Sequence, residues 1–119
     1  MGKETRTVET TYQIVISPNA IKNIDEITGY IAFINQQPLN AIKVGDAIFQ
    51  TIDKIGERPY IFKECGLIPT KNKIYRQARC LSWYIIYKIR NNQIKILGVI
   101  HSSRKPSKIK LLRKVKYDH

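Results

Sequence analysis

The sequence predicts an α+β domain in the order β-α-α-β-β-β, a helical hairpin packed on a small, mostly antiparallel sheet. Three observations lead there. The first half carries isoleucines at three- and four-residue steps, the spacing of one stripe on an α-helix. The second half carries three runs in which apolar residues alternate, the period of a strand. Between these segments lie Pro, Gly and Asn clusters that break or turn the chain.

The elements follow in order. Tyr12–Ile16 is rich in β-branched and aromatic residues and reads as a strand. Ser17-Pro18 ends it and starts a helix, because serine is a good N-cap and proline suits a first-turn position whose N–H has no helical partner. Ala20, Ile21, Ile24, Ile27, Ile31 and Ile34 form the stripe of that helix. Lys22, Asp25 and Glu26 lie outside it, and Asn35-Gln36-Gln37-Pro38 breaks it. Ala41, Val44, Ile48, Ile52 and Ile55 form a second stripe, with Gly56 placed as a C-terminal glycine. The short break makes the two helices an antiparallel hairpin, and Ile24, Ile31, Ile48 and Ile52 are expected in the core. Arg58-Pro59 imposes an extended exit. Residues 60–73 read as a loop. Lys73–Arg79, Ser82–Arg90 and Gln93–His101 read as strands, the last two joined at Asn91-Asn92, since asparagine tolerates the positive φ of a tight hairpin. In the middle strand Trp83, Ile85, Tyr87 and Ile89 face one way, and Tyr84, Ile86, Lys88 and Arg90 the other. Ile109, Leu112 and Val115 at three-residue spacing suggest a short helix near the end. The expected organisation is a flexible N-terminus over 1–11, one domain over 12–104, and a basic tail over 105–119.

The formal net charge is +12 in 119 residues, and it is unevenly placed. Residues 1–57 hold five Lys/Arg against seven Asp/Glu, whereas residues 58–119 hold sixteen against two. A half so basic attracts polyanions: nucleic acid, the ribosome or an acidic protein segment. No apolar run spans a bilayer or forms a signal-peptide core, so a cytoplasmic chain without membrane partners is expected. In such a chain Cys65 and Cys80 are expected as reduced thiols. Two histidines, two distant cysteines and no carboxylate cluster offer no metal-ligand set. The absence of a glycine-rich phosphate loop argues against nucleotide hydrolysis, and no cofactor is expected.

The run Ile16-Ser17-Pro18-Asn19-Ala20 with Ile24-Asp25-Glu26-Ile27 and Tyr30-Ile31 is the first of three recognisable segments. The second is Pro38, Ala41 and Ile48 leading to the Ile55…Pro59 exit; the third is Tyr84–Ile89, a turn, Ile94–Leu97, then Val99-Ile100-His101 and Arg104. In this order, over about Tyr12 to Pro106, the chain resembles the RelE/ParE toxin superfamily, the toxins of type II toxin–antitoxin and plasmid stabilisation systems. The resemblance implies a cognate antitoxin that wraps the toxin, with operator DNA contacted only through that antitoxin. It also implies one of two modes of poisoning. RelE-like members cleave messenger RNA in the ribosomal A site; ParE-like members poison DNA gyrase. RelE-like nucleases tend to carry an arginine after the aromatic that opens the third strand, where this chain has Tyr84 after Trp83. The ending His101-Ser102-Ser103-Arg104-Lys105-Pro106 resembles the His-x-x-Arg close of ParE-like chains. The resemblance is therefore closer to ParE-like members, with a RelE-like, ribosome-dependent endoribonuclease as the alternative and a plain basic nucleic-acid-binding module as the third reading.

The residues themselves allow either toxin. Metal-free cleavage by a 2′-hydroxyl needs a base, an acid and cations around the phosphorane. His101, with Tyr84 as a helper and Arg76, Arg79 and Arg104 as phosphate clamps, is the candidate catalytic set. For a binding toxin the candidate target surface is Arg76, Arg79, Tyr84, Arg104, Lys105, Lys108, Lys110, Arg113 and Lys114, with no catalytic residue. The stretch from Arg104 to Lys116 holds seven basic residues and no acid. It reads as a phosphate-gripping arm, a solubilising tail or a short membrane-surface helix.

Overall fold

The computed structural model describes residues 12–116, so the segment 1–11 and its expected flexibility lie outside the described residues. Strand β1 is Gln13–Ile16, and helix α1 is Pro18–Gly29, continued by a π-helical turn over Tyr30–Ile34. Helix α2 is Pro38–Glu57; strands β2, β3 and β4 are Tyr75–Cys80, Trp83–Arg90 and Gln93–His101; helix α3 is Pro106–Lys110, followed by a 3₁₀ turn over Leu111–Lys114. The sheet order is β1-β4-β3-β2. β2, β3 and β4 form an antiparallel meander, and β1 lies parallel to β4, with Gln13 opposite Gln93 and Ile16 opposite Ile96. The fold is the predicted α+β one. The β3–β4 turn places Asn91 at φ 57°, the conformation asparagine tolerates better than most residues.

The alternation along β3 divides the molecule into two cores. Ile85, Tyr87 and Ile89 join Ile94 and Ile96 of β4 beneath the helical hairpin, packed against Ile24, Ile31, Ile48, Ile52 and Ile55. Ile86 and Leu97 point to the opposite face, where a smaller core forms with Cys65 and Ile68 of the α2–β2 loop, Tyr75, Ile109 and Leu112. Burial raises the pKa of the Cys65 thiol above its ordinary value. Tyr87, fully buried, donates its hydroxyl to the Pro59 carbonyl at 2.6 Å and fastens β3 to the chain leaving α2.

Three details depart from the sequence expectation. Ile34 is 66% exposed and Ile21 41% exposed, although both lie on the α1 stripe. For Ile34 the cause is the π turn: Asn35 N–H bonds Tyr30 O, five residues back, and the extra residue in that turn rotates Phe33 and Ile34 outward. Ile21 sits near the start of α1, on the edge of a narrower buried face centred on Ala20 and Ile24. Gly56 lies inside the last turn of α2, and no described glycine has positive φ. A Cβ there would stand 2.5 Å from Ile14 Cδ1, so the close approach of the Ile14 side chain is what this glycine accommodates.

Candidate functional site

The free edge of β4 is where the sequence motifs meet. β1 is only four residues long, so beyond Ile96 the β4 backbone has no strand on that side among the described residues. Side chains from the start of α1 replace the missing strand. The Ser17 hydroxyl donates to Leu97 O at 3.1 Å and accepts from Ala20 N–H at 3.0 Å, so it caps the helix and pairs the sheet with one atom. Asn19 Nδ2 donates to Leu97 O at 3.0 Å, and Val99 N–H donates to Asn23 Oδ1 at 2.9 Å. Leu97 is also the extra residue of a β-bulge: Ile86 faces Gly98 and Tyr87 faces Ile96, which leaves Leu97 without a partner on β3. The bulge shifts the alternation by one residue: Ile94 and Ile96 before it and Val99 after it lie under the helices, while Leu97 and Ile100 pack on the other face.

Gly98 completes this edge. A Cβ there would meet Leu112 Cδ2 at 2.8 Å, Asn23 Oδ1 at 3.1 Å and Asn19 Nδ2 at 3.2 Å. Only a residue without a side chain lets the backbone, the α1 amides and the C-terminal segment approach together. Leu112 and Ile109 are buried, so the segment from α3 through the 3₁₀ turn is a seated arm with an apolar underside. Its basic residues Arg104, Lys105, Lys108, Lys110, Arg113, Lys114 and Lys116 are all exposed. Between the arm, the end of the α1 hairpin and the ends of β3 and β4 runs a groove of about 960 Å³, lined by Ile31, Trp83 and Val99 and by the charged or titratable Glu26, His101, Arg104 and Lys108.

The strand alternation distributes the other candidate residues. Arg76 shares its face with Ala78 and Cys80, under the helices, while Arg79 shares its face with Tyr75 on the other side. Three residues apart in one strand means opposite faces. Arg76 is occupied locally: Nε donates to Lys73 O at 2.9 Å, one guanidinium nitrogen donates to Phe62 O at 2.9 Å and Tyr60 O at 3.3 Å, and the group stands over the Tyr60 ring. Arg79 lies 5.3 Å from the centroid of the Tyr84 ring, its cross-strand partner, and donates Nε to Leu81 O at 2.6 Å. Tyr84 is half-buried in the smaller core.

His101 pairs with Trp83 across the sheet, and their rings meet edge to face at 5.7 Å. Its Nδ1 accepts from Ser103 N–H at 3.1 Å and lies 2.8 Å from Ser103 Oγ, which assigns the ring proton of the neutral form to Nε2. Trp83 packs on the helix-side core, so His101 and Tyr84 leave the sheet on opposite sides. The structure thus gathers Arg79 with Tyr84, His101 with Trp83, and the seven arm cations in one segment; it does not bring His101, Arg76, Arg79 and Tyr84 to one point. Asn19, Asn23, Gly98 and Leu112, which build the edge, are absent from the candidates drawn from sequence. Their signals were the Ser-Pro-Asn-Ala run and a glycine inside a strand pattern.

Among the described residues no helix is long and apolar enough to cross a membrane. No group of three or more His, Cys, Asp or Glu residues among them is placed to hold a metal ion. Structural comparison finds the same fold in a solved structure. A chain from the chromosomal ParDE TA system of P. aeruginosa superimposes with a TM-score of 0.61 at 14% identity, covering 78% of this chain and 98% of that one. At that identity the likeness shows the fold. A search of curated proteins gives no match. The family model described as ParE toxin of type II toxin-antitoxin system, parDE, matches residues 14–106, and the chain belongs to this family. It is a type II toxin, and its family implies an antitoxin partner.

Proposed function

We propose that this toxin arrests growth by binding its target, DNA gyrase, through the basic second half of the chain, and that it is not a ribonuclease. The observation that carries the reading is the separation of Tyr84, Arg79 and Arg76 from His101, which keeps only Arg104 of the candidate arginines beside it in the groove. A base, an acid and charge-stabilising cations must converge within hydrogen-bond reach of one phosphate. Here His101 belongs to the helix side of the sheet and Tyr84 with Arg79 to the other, while Arg76 is spent on loop carbonyls. Tyr84 also stands where an arginine would be needed, and an uncharged phenol cannot neutralise a phosphorane dianion. The gyrase target rests on the ParE family and on the His101…Arg104 ending.

The antitoxin, in the same reading, lays an amphipathic acidic segment along the groove, with apolar side chains toward Trp83 and Val99 and carboxylates toward Arg104 and Lys108. Its affinity falls as salt rises, by screening of those charged contacts.

The deciding experiment uses the purified chain in two assays, supercoiling by gyrase and mRNA cleavage in programmed ribosomes. Inhibition of supercoiling with intact mRNA is the expected result. Ribosome-dependent cleavage that His101→Ala abolishes would establish the nuclease reading in its place.

A further inference from the structure

We propose that the C-terminal arm is a binding site for the phosphate backbone of duplex DNA, used by the toxin directly and not through its antitoxin. The proposal goes beyond the gyrase reading and stands without it.

The first support is availability. Arg76, Arg79 and Lys88 are engaged, the arginines with backbone carbonyls and rings and Lys88 with the Tyr75 ring. The cations of the arm differ. Arg104, Lys105, Lys108, Lys110, Arg113, Lys114 and Lys116 are exposed, and among the described residues none of their side chains has a hydrogen-bond or ion-pair partner. No acid lies between Arg104 and Lys116. Seven like charges held in one short segment repel one another, a cost that an aligned polyanion removes.

The second support is order. A solubilising tail needs no fixed shape, yet this one buries Ile109 and Leu112, and Leu112 sits against Gly98, where a Cβ would collide with it. Seating fixes where the charges stand. At the rise of α- and 3₁₀-helices the arm is about 20 Å long, a length over which duplex DNA presents on the order of ten phosphates.

The surroundings choose among polyanions. A membrane-surface helix needs an apolar side free to enter lipid, but Ile109 and Leu112 are committed to the sheet, leaving Leu111 as the exposed large apolar residue. Single-stranded nucleic acid is gripped by aromatic rings that stack on bases. The arm offers no aromatic between Arg104 and Lys116, and nearby Tyr84 is half-buried beside Arg79. Cations without stacking rings suit a duplex contacted at its backbone, without base readout.

The test is fluorescence anisotropy of the full chain with a labelled duplex of roughly 20 base pairs, long enough to exceed the arm, at several salt concentrations. The same strand unpaired and a polyglutamate serve as competitors. The expected result is binding whose log K falls linearly with log salt, by about 0.9 for each phosphate neutralised. The double variant Lys108→Gln/Arg113→Gln flattens that slope by about two and weakens binding at 0.1 M salt about ten- to a hundredfold. Leu112→Ser keeps every charge and unseats the arm; affinity drops several-fold while the slope stays near that of the parent chain. No binding at low salt overturns the proposal. So does binding unchanged in the double variant, or competition by the single strand or polyglutamate as strong as that by the duplex. Because no gyrase is present, these outcomes are independent of the supercoiling assay.

Discussion

The face of the sheet beneath α1 and α2 is closed by isoleucines from two helices, and its polar atoms are settled internally, as in Tyr87 to Pro59. The opposite face is closed by the α2–β2 loop and by a five-residue helix with a 3₁₀ turn that carries cations outward. The charge divides the same way along the chain, with the hairpin in the slightly acidic half and the arm in the basic one. The difference teaches how so small a toxin separates two tasks. A large core under the hairpin supplies stability, and in the proposed reading a lightly held covering on the other face presents charge to a target.

The largest effect is expected in the core beneath the helices. Ile48 is fully buried between α2 and the sheet, so Ile48→Ala lowers unfolding free energy by about 2–5 kcal/mol in urea denaturation. A loss below about 0.5 kcal/mol, the range of surface substitutions, would remove the asymmetry. On the opposite face Leu112→Ala costs less than Ile48→Ala, about 2 kcal/mol, because a short helix and 3₁₀ turn relax around the gap more readily than a twenty-residue helix. A loss equal to that of Ile48→Ala would make the two faces equivalent. Hydrogen exchange sharpens the same point: amides of the arm exchange by local opening well before those of β3.

Smaller effects probe the joints. Ser17→Ala removes both the helix cap and one of the two side-chain donors to Leu97 O, and costs about 1–2 kcal/mol. Tyr87→Phe costs about 1 kcal/mol through the buried Pro59 carbonyl left unpaired. Burial raises the pKa of Tyr87 in the folded state, so the folded chain holds this proton where an unfolded tyrosine releases it. Its contribution is complete below the unfolded value of about 10 and is lost as pH rises through the alkaline range. Denaturation series at neutral and alkaline pH check the sign: the parent chain loses stability above about pH 10 more steeply than Tyr87→Phe.

Much of this architecture was legible in the sequence. Alternation from Trp83 to Ile89 named the two faces, the stripe through Ile24, Ile31, Ile48 and Ile52 named the core, and Asn91 marked its turn. The three-residue spacing of Ile109 and Leu112 marked the arm's underside. The π turn was not legible, because Tyr30-Ile31-Ala32-Phe33-Ile34 fits the ordinary helical period equally well and only the backbone hydrogen bond decides. Gly56 shows a related limit: a glycine near a helix end reads as a cap, and the Ile14 side chain that needs the space comes from a strand more than 40 residues earlier in the chain. The site was harder than the fold. That Arg76 and Arg79 part company follows from strand parity, but that Asn19 and Asn23 stand in for a missing strand depends on β1 stopping at Ile16.

In the proposed reading, poisoning comes from binding by the basic covering and not from chemistry by His101 or Tyr84. The direct measurement is growth after induction of matched amounts of three chains: the parent, His101→Ala/Tyr84→Phe, and Arg104→Glu/Lys105→Glu. Arrest by the first two and normal growth with the third is the predicted result. Normal growth with His101→Ala/Tyr84→Phe, with arrest by the charge-reversed chain, would contradict it.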